Sequence, residues 1–187
     1  MPNLYIIAGC NGAGKTTAAK TLLPEVFKTE IFINADIIAA SINPANPELV
    51  AMKAGRIMLE EIQFQLSQKN SFVIETTLAT RIYINLIKQA HLLGYEVILY
   101  FFYLPSSDVA IERVKLRVSK GGHNIPPEVI ERRYKTGLTY FFEYLKLVER
   151  WYFYDSAQEA SLLIARGEMP ETVLIYNFEL WEQLRKK

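Results

Sequence analysis

Short apolar runs alternate with longer amphipathic stretches along most of the chain. Leu4 to Ala8 is apolar and β-prone, ends at Gly9, and reads as a buried strand. Lys15 to Leu23 is rich in helix formers and stops at Pro24, which cannot continue a helix. Ile31 to Asn34 predicts a second short strand running into Asp36. From Glu48 to Gln68 the apolar positions recur at helical period, with Met52, Ile57, Leu59, Ile62 and Leu66 as core candidates. Phe72 to Glu75 reads as another strand, Arg81 to Leu93 as a helix closed by Gly94, and Glu96 to Leu104 as the strongest strand of all. Asp108 to Ser119 is helical, Gly121 to Pro127 a loop, and Glu128 to Arg150 a long helix. Trp151 to Tyr154, Leu162 to Ala165 and Thr172 to Ile175 are late strands, and a polar helix closes the chain.

Strands alternating with helices of this length imply a mostly parallel sheet covered on both faces, a three-layer α/β/α arrangement. No repeat, low-complexity tract or linker interrupts the 187 residues, so one domain is expected over 1–187. Apolar residues make up 50% and charged residues 22%, which argues for a packed core and against disorder. A formal charge of +1 predicts no general attraction to nucleic acid or membranes, so any basic feature is local. The single cysteine, Cys10, forbids an intrachain disulfide. No signal-peptide pattern opens the chain, and the apolar run Val97 to Leu104 is too short for a bilayer. A cytoplasmic location is expected.

The segment Gly9, Cys10, Asn11, Gly12, Ala13, Gly14, Lys15, Thr16 satisfies G-x-x-x-x-G-K-[ST] between a strand and a helix, the context a P-loop requires. The glycines free the backbone so that successive N–H groups point at phosphate, and the following helix adds its positive dipole end. ATP is therefore the expected ligand for residues Gly9 to Thr17, with Lys15 on the β- and γ-phosphates and the Thr16 hydroxyl on Mg²⁺. Cys10 supplies a small filling side chain inside the loop.

Phosphoryl transfer to a hydroxyl needs a proton acceptor near the γ-phosphate and cations around the moving group. Parallel-sheet proteins assemble such groups at the carboxyl ends of strands, where Asp36 and Glu75 fall. Asp36 could serve as base or as a helix N-cap. Glu75 is followed by Thr76 and Thr77, which suit substrate hydroxyls, Mg²⁺ or a turn. Arg113, Arg117 and Lys120 recur on one helical face, Gly121, Gly122, His123 and Pro126 follow, and Arg132 and Arg133 begin the next helix. Helix, glycine-bearing loop and helix at about 106–140 predict a lid that closes over a triphosphate; a solvated basic face is the alternative. No apolar strand ends in the Asp-Glu pair of ABC-type ATPases, and no Asn-Lys-x-Asp marks a guanine site. Both absences favour a small-molecule kinase.

IIAGCNGAGKTT, FINADIIA, FVIETTLATR and IERVKLRVSKGGHNIPPEVIERRY, in this order, resemble the zeta-toxin-like family of P-loop kinases from about Asn3 to Asp155. The resemblance implies ATP-dependent phosphorylation of a sugar hydroxyl, as of UDP-N-acetylglucosamine, and a protein antitoxin as a candidate partner. It also implies that Lys15 is the P-loop lysine, Asp36 the catalytic base, Glu75 and Thr77 substrate contacts, and Arg113 a lid arginine. The second lid arginine would fall near His123, so this chain departs from the pattern there. His123 could donate a hydrogen bond to substrate, or Arg117, Arg132 or Arg133 could supply the charge. Asn43, Pro44, Asn46 and Arg56 lie where an acceptor could enter, or serve as turn and helix-surface residues. An ATP-binding regulatory module and an antibiotic or nucleoside kinase remain alternative readings. The bunched aromatics Tyr140, Phe141, Phe142, Tyr144 and Trp151 to Tyr154 are expected to pack a late strand and helix.

Overall fold

The computed structural model describes residues 1–22, 26–169 and 172–186. In chain order it runs β1 (Asn3–Gly9), α1 (Lys15–Leu22), β2 (Phe32–Asn34), α2 (Ala35–Ile42), a 3₁₀ turn (Pro47–Val50), α3 (Ala51–Ser67), β3 (Phe72–Thr76) and α4 (Ile82–Leu92). It continues with β4 (Glu96–Tyr103), α5 (Ser107–Ser119), α6 (Pro127–Tyr144), β5 (Arg150–Asp155), β6 (Leu162–Glu168), β7 (Thr172–Ile175) and α7 (Phe178–Arg185). The predicted stop of the first helix at Leu23 and Pro24 lies outside the described residues.

The described strands form one sheet in the order β2-β3-β1-β4-β5-β6-β7. Pairings from β2 to β5 are parallel, and β6 and β7 add antiparallel strands. Period-two alternation sorts each central strand into two cores. Leu4, Ile6, Ala8, Phe72, Ile74, Val97, Leu99 and Phe101 face helices α3, α4, α6 and α7. Tyr5, Ile7, Val73, Ile98, Tyr100 and Phe102 face α1 and α5. Both faces are covered, which is why these strands read as unbroken apolar runs. This is the three-layer α/β/α arrangement with a mostly parallel sheet.

Several expectations need correction. Met52 is 78% exposed, and Ala54 and Met58 take the buried positions of α3. The buried stripe of α3 runs through Ala54, Met58, Ile62, Gln65 and Leu66, and Met52, two residues before Ala54, falls nearly opposite it on the helix. The long helix expected to Arg150 ends at Tyr144. Three turn residues follow, and the chain enters β5 at Arg150, just after Glu149 accepts the backbone N–H of Val97 at 2.8 Å and ties the chain to β4. Sequence reading also passed over α2. The expected aromatic packing does occur: Phe141 lies 5.0 Å from Phe153, and Trp151 stacks on Trp181 at 5.2 Å.

Candidate active site

Three strand ends converge. The register pairs Asn34 with Glu75, Ile7 with Glu75 and Ala8 with Thr76, so the ends of β2 and β3 lie beside the loop that leaves β1. In that loop Gly9 has φ +140° and a Cβ there would run into the carbonyl of Phe102 on β4. Gly12 has φ +81°, and its missing Cβ leaves room for the Ala110 carbonyl of α5. Both positions combine left-handed backbone with close approach, a demand that only glycine meets without strain.

Lys15 is 7% exposed, donates to the Cys10 carbonyl at 2.9 Å and lies 3.8 Å from Glu75. The Thr16 hydroxyl donates to Glu75 Oε2 at 2.7 Å. One buried carboxylate thus balances the buried ammonium, as burial of charge requires. Cys10 is buried in the core on the α1 face, and desolvation pushes its thiol up to about 11.

At the end of β2, Asn34 is the N-cap of α2. Its Oδ1 accepts from the backbone N–H of Asp36 at 2.7 Å and of Ile37 at 3.2 Å. The capping role considered for Asp36 belongs to Asn34, which leaves the Asp36 carboxylate half exposed in the first turn of the helix. Asp36 Oδ2 lies 3.6 Å from His123 Nε2. At the end of β3, Thr76 Oγ1 accepts the Leu78 N–H at 3.0 Å, and Leu78 holds φ +57° with its side chain fully buried.

Three spaces surround the loop after β1, two on one side and one on the other. A cavity of about 180 Å³ brings together Lys15, Asp36, Glu75, Thr77, Tyr83 and Arg133. A second space of similar size shares Asp36 and Arg133 and adds His123, Ile125 and Pro126. On the other side of the loop, a cavity of about 610 Å³ is lined by Gly14, Thr17, Arg113, Phe102, Tyr154 and Gln158.

The cationic residues therefore do not act as one face. Arg113 borders the large cavity, where its Nη2 donates to the Ala157 carbonyl at 2.6 Å. Arg117 donates to the His123 carbonyl at 3.0 Å, and its stem packs where a Cβ of Gly122 would sit. Lys120 ends α5 and is exposed. Arg132 is exposed on α6. Arg133 alone of the pair turns inward, donating from Nη1 to Asn11 Oδ1 at 3.2 Å. Burial lowers its pKa, Asp36 raises it in opposition, and the guanidinium stays charged at any ordinary pH. Asn43 caps a turn by accepting the Asn46 N–H at 3.0 Å. The space beside Asp36 is lined there by Pro47, Glu48 and Ala51 rather than by Asn43, Pro44, Asn46 or Arg56.

Sequence reading missed the loop of residues 156–161, where Ser156 is buried and its hydroxyl lies 2.9 Å from that of Ser161. No motif marks that stretch. It also missed Asn11 as a partner for Arg133, a contact across 122 residues.

An uncharacterised protein of Haemophilus influenzae is 34% identical over 126 residues, which is 67% of this chain and 88% of that protein. The crystal structure of AvrRxo1-ORF1:-ORF2 with ATP superposes with a TM-score of 0.80 at 17% identity, covering 98% of this chain. This chain spans 63% of the length of that one. The structure of the PezAT chromosomal toxin–antitoxin system of Streptococcus pneumoniae gives a TM-score of 0.65 at 19% identity, over 92% of this chain and 74% of the other. At these identities the structural likeness establishes the three-layer fold. The family profile of Zeta toxin matches residues 1–160 of the sequence, and the chain belongs to that family.

Proposed function

We propose that this chain is an ATP-dependent kinase that passes the γ-phosphate to a hydroxyl of a small acceptor. In its finer form the acceptor is a UDP-sugar such as UDP-N-acetylglucosamine. One observation carries the proposal: Lys15 of the phosphate loop and the half-exposed carboxylate of Asp36 line the same small cavity. Membership of the Zeta toxin family and the ATP in the AvrRxo1 structure support it.

In this reading the triphosphate lies on the amides of Gly9 to Thr17. Lys15 turns from the Cys10 carbonyl to the β- and γ-phosphates and so keeps its charge partnered. Adenosine occupies the larger cavity beside Arg113, and the acceptor hydroxyl enters the smaller one beside Asp36. Asp36 takes the hydroxyl proton as the oxygen attacks, and the γ-phosphoryl moves in line from ADP to that oxygen. Thr77 and His123 hydrogen-bond the acceptor, and the segment 106–140 acts as the lid that excludes water. Arg117 braces that lid through the His123 carbonyl.

Thr16 and Glu75 fit a Mg²⁺ ion: two hard oxygens 2.7 Å apart at the edge of the phosphate loop. Mg²⁺ bound there would neutralise phosphate charge. Among the described residues no group of three His, Cys, Asp or Glu could hold a metal. We further place residues 1–187 in one functional unit with a protein antitoxin as partner, by analogy with the PezAT system. No described helix is long and apolar enough to cross a membrane.

Incubating the protein with ATP, Mg²⁺ and a metabolite extract, beside its Asp36→Asn variant, tests the reading. A phosphorylated small molecule should appear only with the parent, while the variant keeps its affinity for a non-hydrolysable ATP analogue within about threefold. Equal product from both proteins would remove Asp36 as base. A parent with no Mg²⁺-dependent affinity for ATP would end the kinase reading altogether.

A further inference from the structure

We infer that Arg133 is the cation that contacts the γ-phosphate from the acceptor side, in the place left open at His123. The inference rests on the kinase reading above and assigns a residue to it. Three observations converge. Arg133 Nη1 reaches Asn11 Oδ1 at 3.2 Å, which holds the guanidinium against the inner rim of the phosphate loop. The same side chain borders both the cavity with Lys15 and Glu75 and the neighbouring one with His123, and Asp36 is common to the two. The competing cations are committed elsewhere: Arg117 to the His123 carbonyl, Arg113 to the Ala157 carbonyl across the loop, and Arg132 to solvent.

Helix geometry explains the placement. Gly137 lies against the Thr77 carbonyl, and a Cβ there would come within 2.5 Å of it. This contact seats α6 directly on the turn after β3. Arg133 is four residues earlier, just over one helical turn and about 6 Å along the axis, on the same face. The Gly137 contact therefore delivers the guanidinium to the phosphate loop. His123 stays on Asp36 at 3.6 Å and contacts the acceptor, so the two positions divide the work of one lid arginine. When triphosphate arrives, Arg133 exchanges the neutral Asn11 oxygen for phosphate oxygens, which form stronger charge-assisted bonds.

Calorimetry with Mg·ADP and with the Mg²⁺ complex of a non-hydrolysable ATP analogue tests this without knowledge of the acceptor. Arg133→Gln should leave Mg·ADP within about threefold of the parent and weaken the triphosphate analogue by about tenfold or more. Arg133→Lys should recover part of that loss, and Arg132→Gln should change neither affinity. Thermal melts confirm that each variant is folded. Equal weakening of both nucleotides would mean that Arg133 only shapes the loop, and no weakening would remove it from the site; either overturns the inference while leaving the kinase reading intact. A parent that binds neither nucleotide overturns both.

Discussion

Two glycines in helices should respond to the same substitution with opposite sign. Gly55 lies in α3, and a Cβ built there meets nothing within 4 Å. Replacing it by alanine removes only the backbone entropy cost of glycine in a helix, so Gly55→Ala should stabilise by about 0.5–1 kcal/mol. Gly137 in α6 gains the same propensity term. Its Cβ, however, would stand 2.5 Å from the Thr77 carbonyl oxygen, about 1 Å short of ordinary contact. That oxygen is backbone in the turn just after β3 and cannot rotate away. Overpacking of this kind costs about 1–3 kcal/mol, so Gly137→Ala should be net destabilising by about 1 kcal/mol. Urea unfolding of the two variants beside the parent gives both signs, provided the slopes stay equal. If Gly137→Ala proved as stable as Gly55→Ala, α6 would not be seated on Thr77, and the placement of Arg133 would lose its physical basis. Any shift of α6 should also lower affinity for the triphosphate analogue, since Arg133 moves with it.

Two further outcomes follow from packing and titration. Trp181→Ala removes a ring that is 4% exposed and stacked on Trp151, and should cost about 3–5 kcal/mol, a fall of roughly 10 °C in the melting midpoint. A fall of less than about 2 °C would mean that α7 docks without contributing to the core. The Cys10 thiol, raised to about 11 in the fold against about 8.5 in an unfolded chain, should resist alkylation in the native protein at pH 8 and react once urea unfolds it. Because the folded state holds that proton longer, Cys10 should make stability fall as pH rises from about 8.5 towards 11. Rapid native labelling at pH 8 would contradict its burial.

Legibility differed by element. The strand–loop–helix from Leu4 to Thr16 was readable because its chemistry is local: glycine torsions, a lysine and a hydroxyl in one turn. The apolar strands Phe72 to Glu75 and Glu96 to Leu104 were readable because burial on both faces leaves no polar alternation to confuse. Asp36 and Glu75 were found as acids at strand ends, and the pairing of Asn34 with Glu75 brings them together. Met52 was misread because the buried stripe enters α3 at Ala54, a small residue nearly opposite Met52 on the helix, which the apolar period does not mark. The end of α6 was misread because the residues after Tyr144 turn towards β4, where Glu149 accepts the Val97 N–H from 52 residues away, a contact no local pattern shows. Capping by Asn34 was open to local reading, since an Asn immediately before a helix is a recognised start signal.

The glycine-rich loop after β1, the layer architecture and the acid positions were thus determined by the order of residues, because each depends on neighbours within a few positions. Which arginine faces the loop, and that Arg117 is spent on its own loop, was decided only by tertiary structure. The reason is geometric. A side chain's direction on a helix is set by how the whole helix is seated, and α6 is seated by one missing Cβ against a carbonyl 60 residues earlier in the chain.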